Sequence, residues 1–175
     1  LHITVDDLSL SPIFGKVNCE TNWKWNRQDK PFEDYDLWYV WNGEGELMLN
    51  GKRYSISKRD CFLFRPGDIT SAIHNPEKPL TVTYIHFSVK TSPTPLAKLP
   101  SLVHFDPSEN HEHCLNRYIH LMLNKLYNYK QEATMVLALL LLMFERQSKM
   151  KHVVGDQSMN RIMMDIAATI MQDAG

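Results

Sequence analysis

Short runs rich in β-branched and aromatic residues follow one another from Tyr35 to Phe87, and turns that contain glycine separate them. This rhythm is typical of a small antiparallel barrel or sandwich. Asn50-Gly51 is the sharpest turn signal, because an Asn-Gly pair accepts the two positive φ angles of a type I′ turn. It predicts a hairpin between Glu46–Leu49 and Lys52–Ile56. Pro66-Gly67-Asp68 predicts a further chain reversal.

The flanks of this stretch follow other patterns. Trp23 to Arg27 alternates apolar and polar residues, as a half-buried strand does. Residues 91–107 contain Pro93, Pro95, Pro100 and Pro107. Because proline removes a backbone donor and fixes φ, we expect no regular structure in residues 91–107, which should connect the barrel to helices.

A helical period begins after Ser108. Apolar residues then recur at spacings of three and four, which predicts one amphipathic helix; they are Leu115, Ile119, Met122, Leu123 and Leu126. The tract Tyr127–Lys130 should end that helix, and a second should run from about Gln131 to Lys149. A third helical period covers Asn160–Met171. The fold class is therefore mainly β, a barrel followed by C-terminal α-helices, α+β overall.

The second helix is apolar nearly all round, so one face should meet the barrel and another face something else. Large exposed apolar patches usually mark interfaces. The candidate dimer-interface residues are Val136, Leu139, Leu140 and Met143. The alternative is a helix that its own domain covers completely.

Bulk properties exclude several classes of protein. The chain has 175 residues, 43% of them hydrophobic and 22% charged, with a net charge of −1, so a stand-alone nucleic-acid binder is not indicated. Cys19, Cys61 and Cys114 form no CxxC pair, which favours buried thiols in a reducing cytoplasm. The longest apolar run, Met135–Phe144, is shorter than the ~20 residues that cross a membrane. We expect no contact with a membrane.

The ordered set of barrel motifs resembles the N-terminal sensor domain of AraC-family transcription regulators, which have a cupin-type jelly-roll β-barrel. The motifs are Asn42-Gly43-Glu44-Gly45, Asn50-Gly51-Lys52, Lys58-Arg59-Asp60, Phe62-Leu63-Phe64-Arg65-Pro66-Gly67-Asp68 and Tyr84-Ile85-His86-Phe87. The resemblance covers roughly residues 30–90, and the helical tail fits it. Arg59 stands where the family usually has glycine, which leaves a positive-φ turn there without its usual residue.

This resemblance raises the question of a metal, because metal cupins carry an H-x-H pair and a later histidine. Glu33–Trp38 contains no histidine, and Thr70 stands where the later one would follow the Pro-Gly turn. A catalytic metal needs about three protein ligands. His111-Glu112-His113 lies at a helix start, where the two histidines point apart, so we interpret both as solvated capping residues. No metal and no cofactor are expected.

Catalysis is not indicated either, since nucleophile-elbow, P-loop and dinucleotide-binding motifs are all missing. Nothing near Cys61 in the sequence would activate its thiol. We therefore do not expect an enzyme.

A binding pocket is better supported, because small-ligand sites are mostly apolar or aromatic with a few oriented polar groups. In the relatives that the chain resembles, the ligand is contacted from an early strand, the strand after the Pro-Gly turn and the strand ending in phenylalanine. Carried over by strand parity, the candidate ligand-binding residues are Trp25, Arg27, Thr70, Ala72, His74, Val82, Tyr84 and His86. Tyr84 would stack on a ligand, Trp25 would form a second wall, and Arg27 and His74 would read polar groups. For His86, a satisfied core histidine is an equally good interpretation.

The resemblance implies an effector-sensing and dimerisation domain. Residues 1–107 would form the ligand-binding barrel, 108–150 the dimerisation segment, and 151–175 a linker towards a helix-turn-helix DNA-binding domain beyond Gly175. The partners would be a small molecule, possibly a sugar, and a second copy, with DNA bound only through the further domain. The chain starts without methionine and stops within polar sequence, so we expect it to be part of a longer protein. The alternative is a structural dimerisation module whose barrel is filled with side chains.

Overall fold

The computed structural model describes residues 4–91 and 94–150, within which nine β-strands are followed by two helices. The strands are β1 (Leu8–Asn18), β2 (Lys24–Asn26), β3 (Tyr35–Asn42), β4 (Gly45–Leu49), β5 (Lys52–Ile56), β6 (Asp60–Phe64), β7 (Thr70–His74), β8 (Thr81–Val89) and β9 (Leu102–His104). The helices are α1 (His111–Asn124) and α2 (residues 129–150). The third predicted helix, Asn160–Met171, lies outside the described residues.

The strands form two antiparallel sheets, with orders β1-β8-β3-β6-β9 and β2-β7-β4-β5. Short connections join β1 to β2, β3 to β4, β5 to β6 and β7 to β8, and each crosses from one sheet to the other. Edge strand β1 is thereby set opposite edge strand β2, and we call this the open side of the barrel. The mainly β fold with C-terminal helices that the sequence predicts is confirmed.

The predicted hairpin forms between β4 and β5, with Leu49 paired to Lys52. Asn50 and Gly51 have φ values of 50° and 79°, as a type I′ turn requires. The Asn50 side chain also donates to Asp68 Oδ1 at 2.7 Å and accepts from the Ile69 N–H at 2.9 Å. The turn is therefore tied to the Pro66-Gly67-Asp68 reversal, which is also confirmed by a Gly67 φ of 88°.

Arg59 adopts a positive φ of 71° although it is not glycine, so the turn forms without its usual residue. The neighbouring groups hold it there. The Arg59 N–H donates to the Val40 carbonyl at 2.8 Å, and Asp60 Oδ2 accepts the Ser57 N–H at 2.7 Å. Tertiary hydrogen bonds override the local preference against the left-handed region.

Two strands were not predicted. β1 is a long edge strand, and Pro12 within it lies at a bulge between Leu10 and Phe14, where a missing backbone donor costs little. β9 lies within residues 91–107, where no regular structure was expected, so that expectation was wrong. Its three residues include no proline, so they can pair with β6.

The helices cover the outer face of the five-stranded sheet. Their buried residues, among them Leu115, Leu121, Leu137 and Phe144, form one core with side chains of β3, β6 and β8. Lys125 ends α1 with a left-handed φ of 48°, and α2 begins at residue 129, two residues before the predicted start. No helix within the described ranges is both long and apolar enough to span a membrane.

The candidate dimer-interface residues separate into two groups. Leu140 and Met143 are 2% and 6% exposed and belong to the core of the chain itself, so their assignment to an exposed interface was wrong. Both residues lie on the face of α2 that packs against the sheet, because their positions in the helical period place them there. Val136 is partly buried, and Leu139 is 46% exposed.

Candidate ligand-binding site at the open side of the barrel

A group of aromatic rings lies between β2 and β8 at the open side of the barrel. We call Trp23, Trp25, Phe32, Tyr84 and His86 the ring cluster. Its ring centroids are 6.5 Å apart for Trp23 and Trp25, 5.7 Å for Trp25 and Phe32, and 5.9 Å for Phe32 and His86. Trp23, Trp25 and Tyr84 are only half-buried, so the cluster offers aromatic surface to solvent.

Tyr84 is positioned by a glycine on the neighbouring strand. Gly15 pairs with Tyr84, and a Cβ atom at Gly15 would come within 2.7 Å of the Tyr84 hydroxyl oxygen. The tyrosine ring therefore lies across the bare backbone of β1. Gly15 is a functional candidate that sequence reasoning missed, because only the strand register shows the contact.

His86 lies between two carboxylates. Its Nδ1 is 2.7 Å from Asp34 Oδ1, and its Nε2 is 3.6 Å from Asp36 Oδ2. Because each ring nitrogen faces a different carboxylate, the three groups do not converge on one point as metal ligands would. Among the residues that the structure describes, no group of three or more His, Cys, Asp and Glu side chains could hold a metal ion.

Asp36 is buried beneath this group. Burial raises the pKa of its carboxyl to about 6, although His86 and a hydrogen bond from the Ile85 N–H at 3.1 Å act in the opposite direction. Asp34 and Asp36 were not among the candidate residues. Their two-residue spacing puts both on the side of the strand that His86 reaches, a signal that is readable only once β3 and β8 are aligned with Asp36 opposite His86.

Arg27 adds a positive charge to the ring cluster. Its guanidinium carbon lies 4.3 Å from the centre of the Phe32 ring, and its Nε donates to the Lys30 carbonyl at 3.2 Å. Within the described parts of the chain, its two terminal amino groups donate no hydrogen bond. The arginine is therefore held in place while most of its donors stay available.

His74 has a structural role. Its Nδ1 accepts a hydrogen bond from the Leu80 N–H at 3.2 Å, and its Nε2 lies 2.9 Å from the Thr21 carbonyl. The neutral tautomer with its proton on Nε2 satisfies both contacts. His74 thus fixes the segment before β2. Neither of its ring nitrogens remains available to bind polar groups of a ligand, which was the role predicted from the sequence.

The centre of the barrel is filled with side chains. Trp38, Leu47, Phe62 and Phe64 are all buried there, and Phe32 stacks on Phe64 with 5.0 Å between ring centroids. Three other candidates face the same interior and are also buried: Thr70, Ala72 and Val82. Thr70 Oγ1 is buried without a hydrogen-bond partner. The structure therefore brings these candidate residues to one interior, but only Trp25, Arg27 and Tyr84 among them are partly exposed to solvent.

A family model described as the AraC-like ligand binding domain matches residues 12–148. The chain belongs to this family. The match includes every strand from β2 onwards, most of β1 and nearly all of the two helices, so the resemblance that the motifs carried is confirmed.

Solved structures of other proteins have an architecture similar to that of this AraC-like domain. ToxT from Vibrio cholerae matches with a TM-score of 0.50 and 10% identity, over 81% of this chain and 55% of ToxT. A structure of ToxT with an unsaturated fatty acid bound matches with a TM-score of 0.51 and 11% identity, over 79% and 55%. At such identities the likeness shows the fold alone.

YhaK from Escherichia coli matches with a TM-score of 0.41 and 21% identity, over 54% of this chain and 41% of YhaK. The AraC-like chain thus spans about half the length of these relatives. None of the curated proteins matches it.

Proposed function

We propose that this AraC-like domain is the effector-sensing part of a cytoplasmic transcription regulator, and that its effector binds to the ring cluster at the open side of the barrel. The observation that carries the proposal is the combination of three half-buried aromatic rings with Arg27, whose terminal donors have no described partner. Binding sites for small molecules combine apolar walls with a few oriented polar groups in this way. The domain would act by binding and not by catalysis.

A carbohydrate is the effector class that we propose. A sugar ring has apolar C–H faces that stack on Tyr84 or Trp25, and hydroxyl groups that suit the guanidinium of Arg27 and the carboxylate of Asp34. Asp34 already accepts from His86 but is a carboxylate with further acceptor capacity. ToxT, whose fold is similar, has been solved with an unsaturated fatty acid bound, so a fatty acid belongs in the same screen.

The mechanism that we propose is a population shift. β2 has only three residues, and its flanking residues Trp23 and Arg27 belong to the proposed site. A ligand held between β2 and Tyr84 would favour one arrangement of this segment, to the extent that its affinity for the two arrangements differs. The change would reposition a helix-turn-helix domain attached after Gly175.

Dimerisation through α2 is part of this proposal. Met135, Leu139 and Leu142 are each about half exposed, and their spacing of four and three places them on one helical face. This face would meet the same face of a second copy. Sedimentation should show a dimer that Leu139→Lys converts to monomer, whereas Lys149→Gln on the same helix should leave it intact.

A structural dimerisation module is the second candidate function. The filled centre of the barrel favours it, because the large side chains of Phe62, Phe64 and Trp38 are buried between the sheets. In that case Tyr84 and Arg27 would contribute only to stability.

A thermal-shift screen tests the proposal with glucose, galactose, arabinose, maltose, galacturonate and decanoate as probes. A ligand at 100 times its Kd should stabilise the fold by about 2.7 kcal/mol. We expect one sugar to raise the Tm of the wild-type chain, and Tyr84→Ala and Arg27→Ala to abolish that rise. Arg53→Ala, at an exposed site on β5, is the matched control. A screen in which no sugar raises the Tm through Tyr84 and Arg27 would favour the structural module.

A further inference from the structure

A second cavity lies outside the barrel, between edge strand β1 and the connection of the two helices. Its volume is about 700 Å³, within the roughly 300–1,000 Å³ range of small-molecule sites. β1 contributes Ser9, Leu10, Ser11, Pro12 and Phe14, and the helices contribute Met122, Leu123, Lys125, Tyr129, Lys130 and Thr134. We call this cavity the β1–helix groove.

The groove results from the bulge in β1. Leu10 pairs with Phe87 and Phe14 with Ile85, so β1 has two more residues than β8 over this interval. The extra backbone, with Pro12 at its centre, leaves the regular line of the strand. Ser11 Oγ accepts the Ile13 N–H at 3.2 Å and stabilises the bulged conformation. Bulges that are held in this way commonly shape functional sites at sheet edges.

The floor of the groove is apolar. Leu10 and Phe14 pack against the helix-side core, and Phe14 meets the edge of the Tyr118 ring with 6.2 Å between centroids. Met122 closes the floor from α1, and Leu123 on the rim is 66% exposed. An apolar surface of this kind favours an occupant with a hydrocarbon tail.

The charge of the groove has one sign. Lys125 and Lys130 line it, and no acidic residue is among its lining residues. Neither lysine forms an ion pair within the described parts of the chain, and Glu132, the nearest acid along α2, is paired with Arg117 at 2.7 Å. β1 contains no acidic residue, and residues 113–131 contain none either. The groove is therefore complementary to an anion.

We propose that the β1–helix groove binds an amphipathic carboxylate, with its linear apolar tail on Leu10, Phe14 and Met122 and its carboxylate between Lys125 and Lys130. The apolar floor and the two unpaired ammonium groups together favour this class of ligand. A neutral hydrocarbon would contact only the floor, and a small anion would contact only the ammonium groups. The site is separate from the ring cluster. It would connect an occupant directly to β1 and to both helices.

Calorimetric titration of the wild-type chain with decanoate tests the proposal. We expect saturable binding that weakens with added salt, as an interaction with exposed lysines should. Decanol, which lacks the charge, and acetate, which lacks the tail, should each bind at least tenfold more weakly. Equal affinity for decanol and decanoate would overturn the role of the lysines, and no binding of decanoate would overturn the proposal.

Matched variants locate the site. Lys125→Gln/Lys130→Gln should weaken decanoate binding about tenfold, which corresponds to ~1.4 kcal/mol. Lys24→Gln/Lys98→Gln removes the same charge from exposed sites elsewhere and should leave the affinity unchanged. Tyr84→Ala should also leave it unchanged, because the ring cluster is not involved. If Tyr84→Ala abolishes binding, or both double variants act alike, decanoate does not occupy the groove.

Discussion

The molecule has two hydrophobic layers, one inside the barrel (the barrel layer) and one between the five-stranded sheet and the helices (the helix layer). The layers differ in whether their buried polar groups have hydrogen-bond partners. Inside the barrel, His74, His86 and Asp36 all have partners within the chain. Between the sheet and the helices, polar atoms of three buried side chains make no hydrogen bond of normal geometry: both ring nitrogens of His111, the hydroxyl of Tyr118 and Oε1 of Gln147. Thr70 Oγ1 is the one such atom on the barrel side of the described chain.

The barrel layer is therefore held in part by specific hydrogen bonds, whereas the helix layer is held by apolar contact. An unpartnered buried polar atom costs roughly 1–3 kcal/mol, whereas an apolar replacement of similar shape removes that cost. Substitution of polar groups should therefore destabilise the barrel layer and stabilise the helix layer.

Truncation of a central aromatic residue should have the largest effect in both layers. Phe64 and Phe144 are fully buried on the barrel side and the helix side. Each change to alanine should lower the free energy of unfolding by about 3–5 kcal/mol through lost burial and a residual cavity. Urea denaturation measures both. A loss below ~2 kcal/mol for Phe144→Ala alone would show that the helix layer is loosely packed.

Asp36 gives the barrel layer a pH dependence. Its folded pKa of about 6 lies above the usual value of 3.8, so the folded state binds the proton more tightly than the unfolded state does. Its contribution to stability is thus greatest below pH 4 and is lost as the pH rises through 6. The stability of Asp36→Asn minus that of wild type should therefore rise by about 2–3 kcal/mol from pH 4 to pH 7, because wild type loses stability over this range and the variant does not.

Denaturation of both proteins at several pH values measures this difference. A stability difference between Asp36→Asn and wild type that is constant with pH would contradict the account of Asp36.

His111 should behave in the opposite way. It is 2% exposed and stacks on Phe105 with 4.1 Å between ring centroids, and burial lowers its pKa below the usual 6.5. The unfolded state therefore takes up the proton first, so the stability due to neutral His111 is present above pH 6.5 and is lost as the pH falls. His111→Phe should gain about 1 kcal/mol at pH 7.5 and more at pH 5.5.

Tyr118→Phe serves as the companion variant, because it removes another unpartnered atom of the helix layer without changing a charge near neutral pH. It should gain about 1 kcal/mol at both pH values. Destabilisation by both variants would mean that these polar groups do have partners, and the contrast between the layers would fail.

The smallest expected effect concerns the turn before β6. Arg59 has a φ of 71°, which costs a non-glycine residue about 1–2 kcal/mol, partly offset by the greater freedom of glycine in the unfolded chain. Arg59→Gly should therefore gain about 0.5–1 kcal/mol. Arg53→Gly, in the extended strand β5, should lose a similar amount, and a loss at both sites would indicate that the Arg59 side chain has a stabilising role.

The sequence could predict those elements of the fold that local interactions determine, but not those that depend on contacts between distant residues. The hairpin at Asn50-Gly51 and the start of β2 were predictable, because local turn chemistry and alternation determine them. β1 was missed because Pro12 argues against a strand, and only the register with β8 shows the bulge that accommodates it. His111 was interpreted as a solvated capping residue, which was wrong; Phe105 and Tyr39, distant in sequence, bury its ring.

The candidate site could be predicted only in part, because some of its contacts follow from positions within one strand and others depend on how the strands pair. Strand parity places Trp25, Tyr84 and His86 on one interior face, as two-residue periodicity requires. Parity cannot show that His74 is satisfied by Thr21 and Leu80, or that Asp34 and Asp36 flank His86. Those contacts depend on which strands become neighbours.

Tryptophan fluorescence during titration with the stabilising sugar from the screen would show whether the ligand binds at the ring cluster. Trp23 and Trp25 belong to the ring cluster, whereas Trp41 lies on the helix side of the sheet, where Lys16 Nζ is 3.2 Å from its ring centre. We expect a saturable fluorescence change that Trp41→Phe retains and Trp25→Phe reduces or abolishes. A change that disappears in Trp41→Phe and persists in Trp25→Phe would contradict binding at the open side of the barrel.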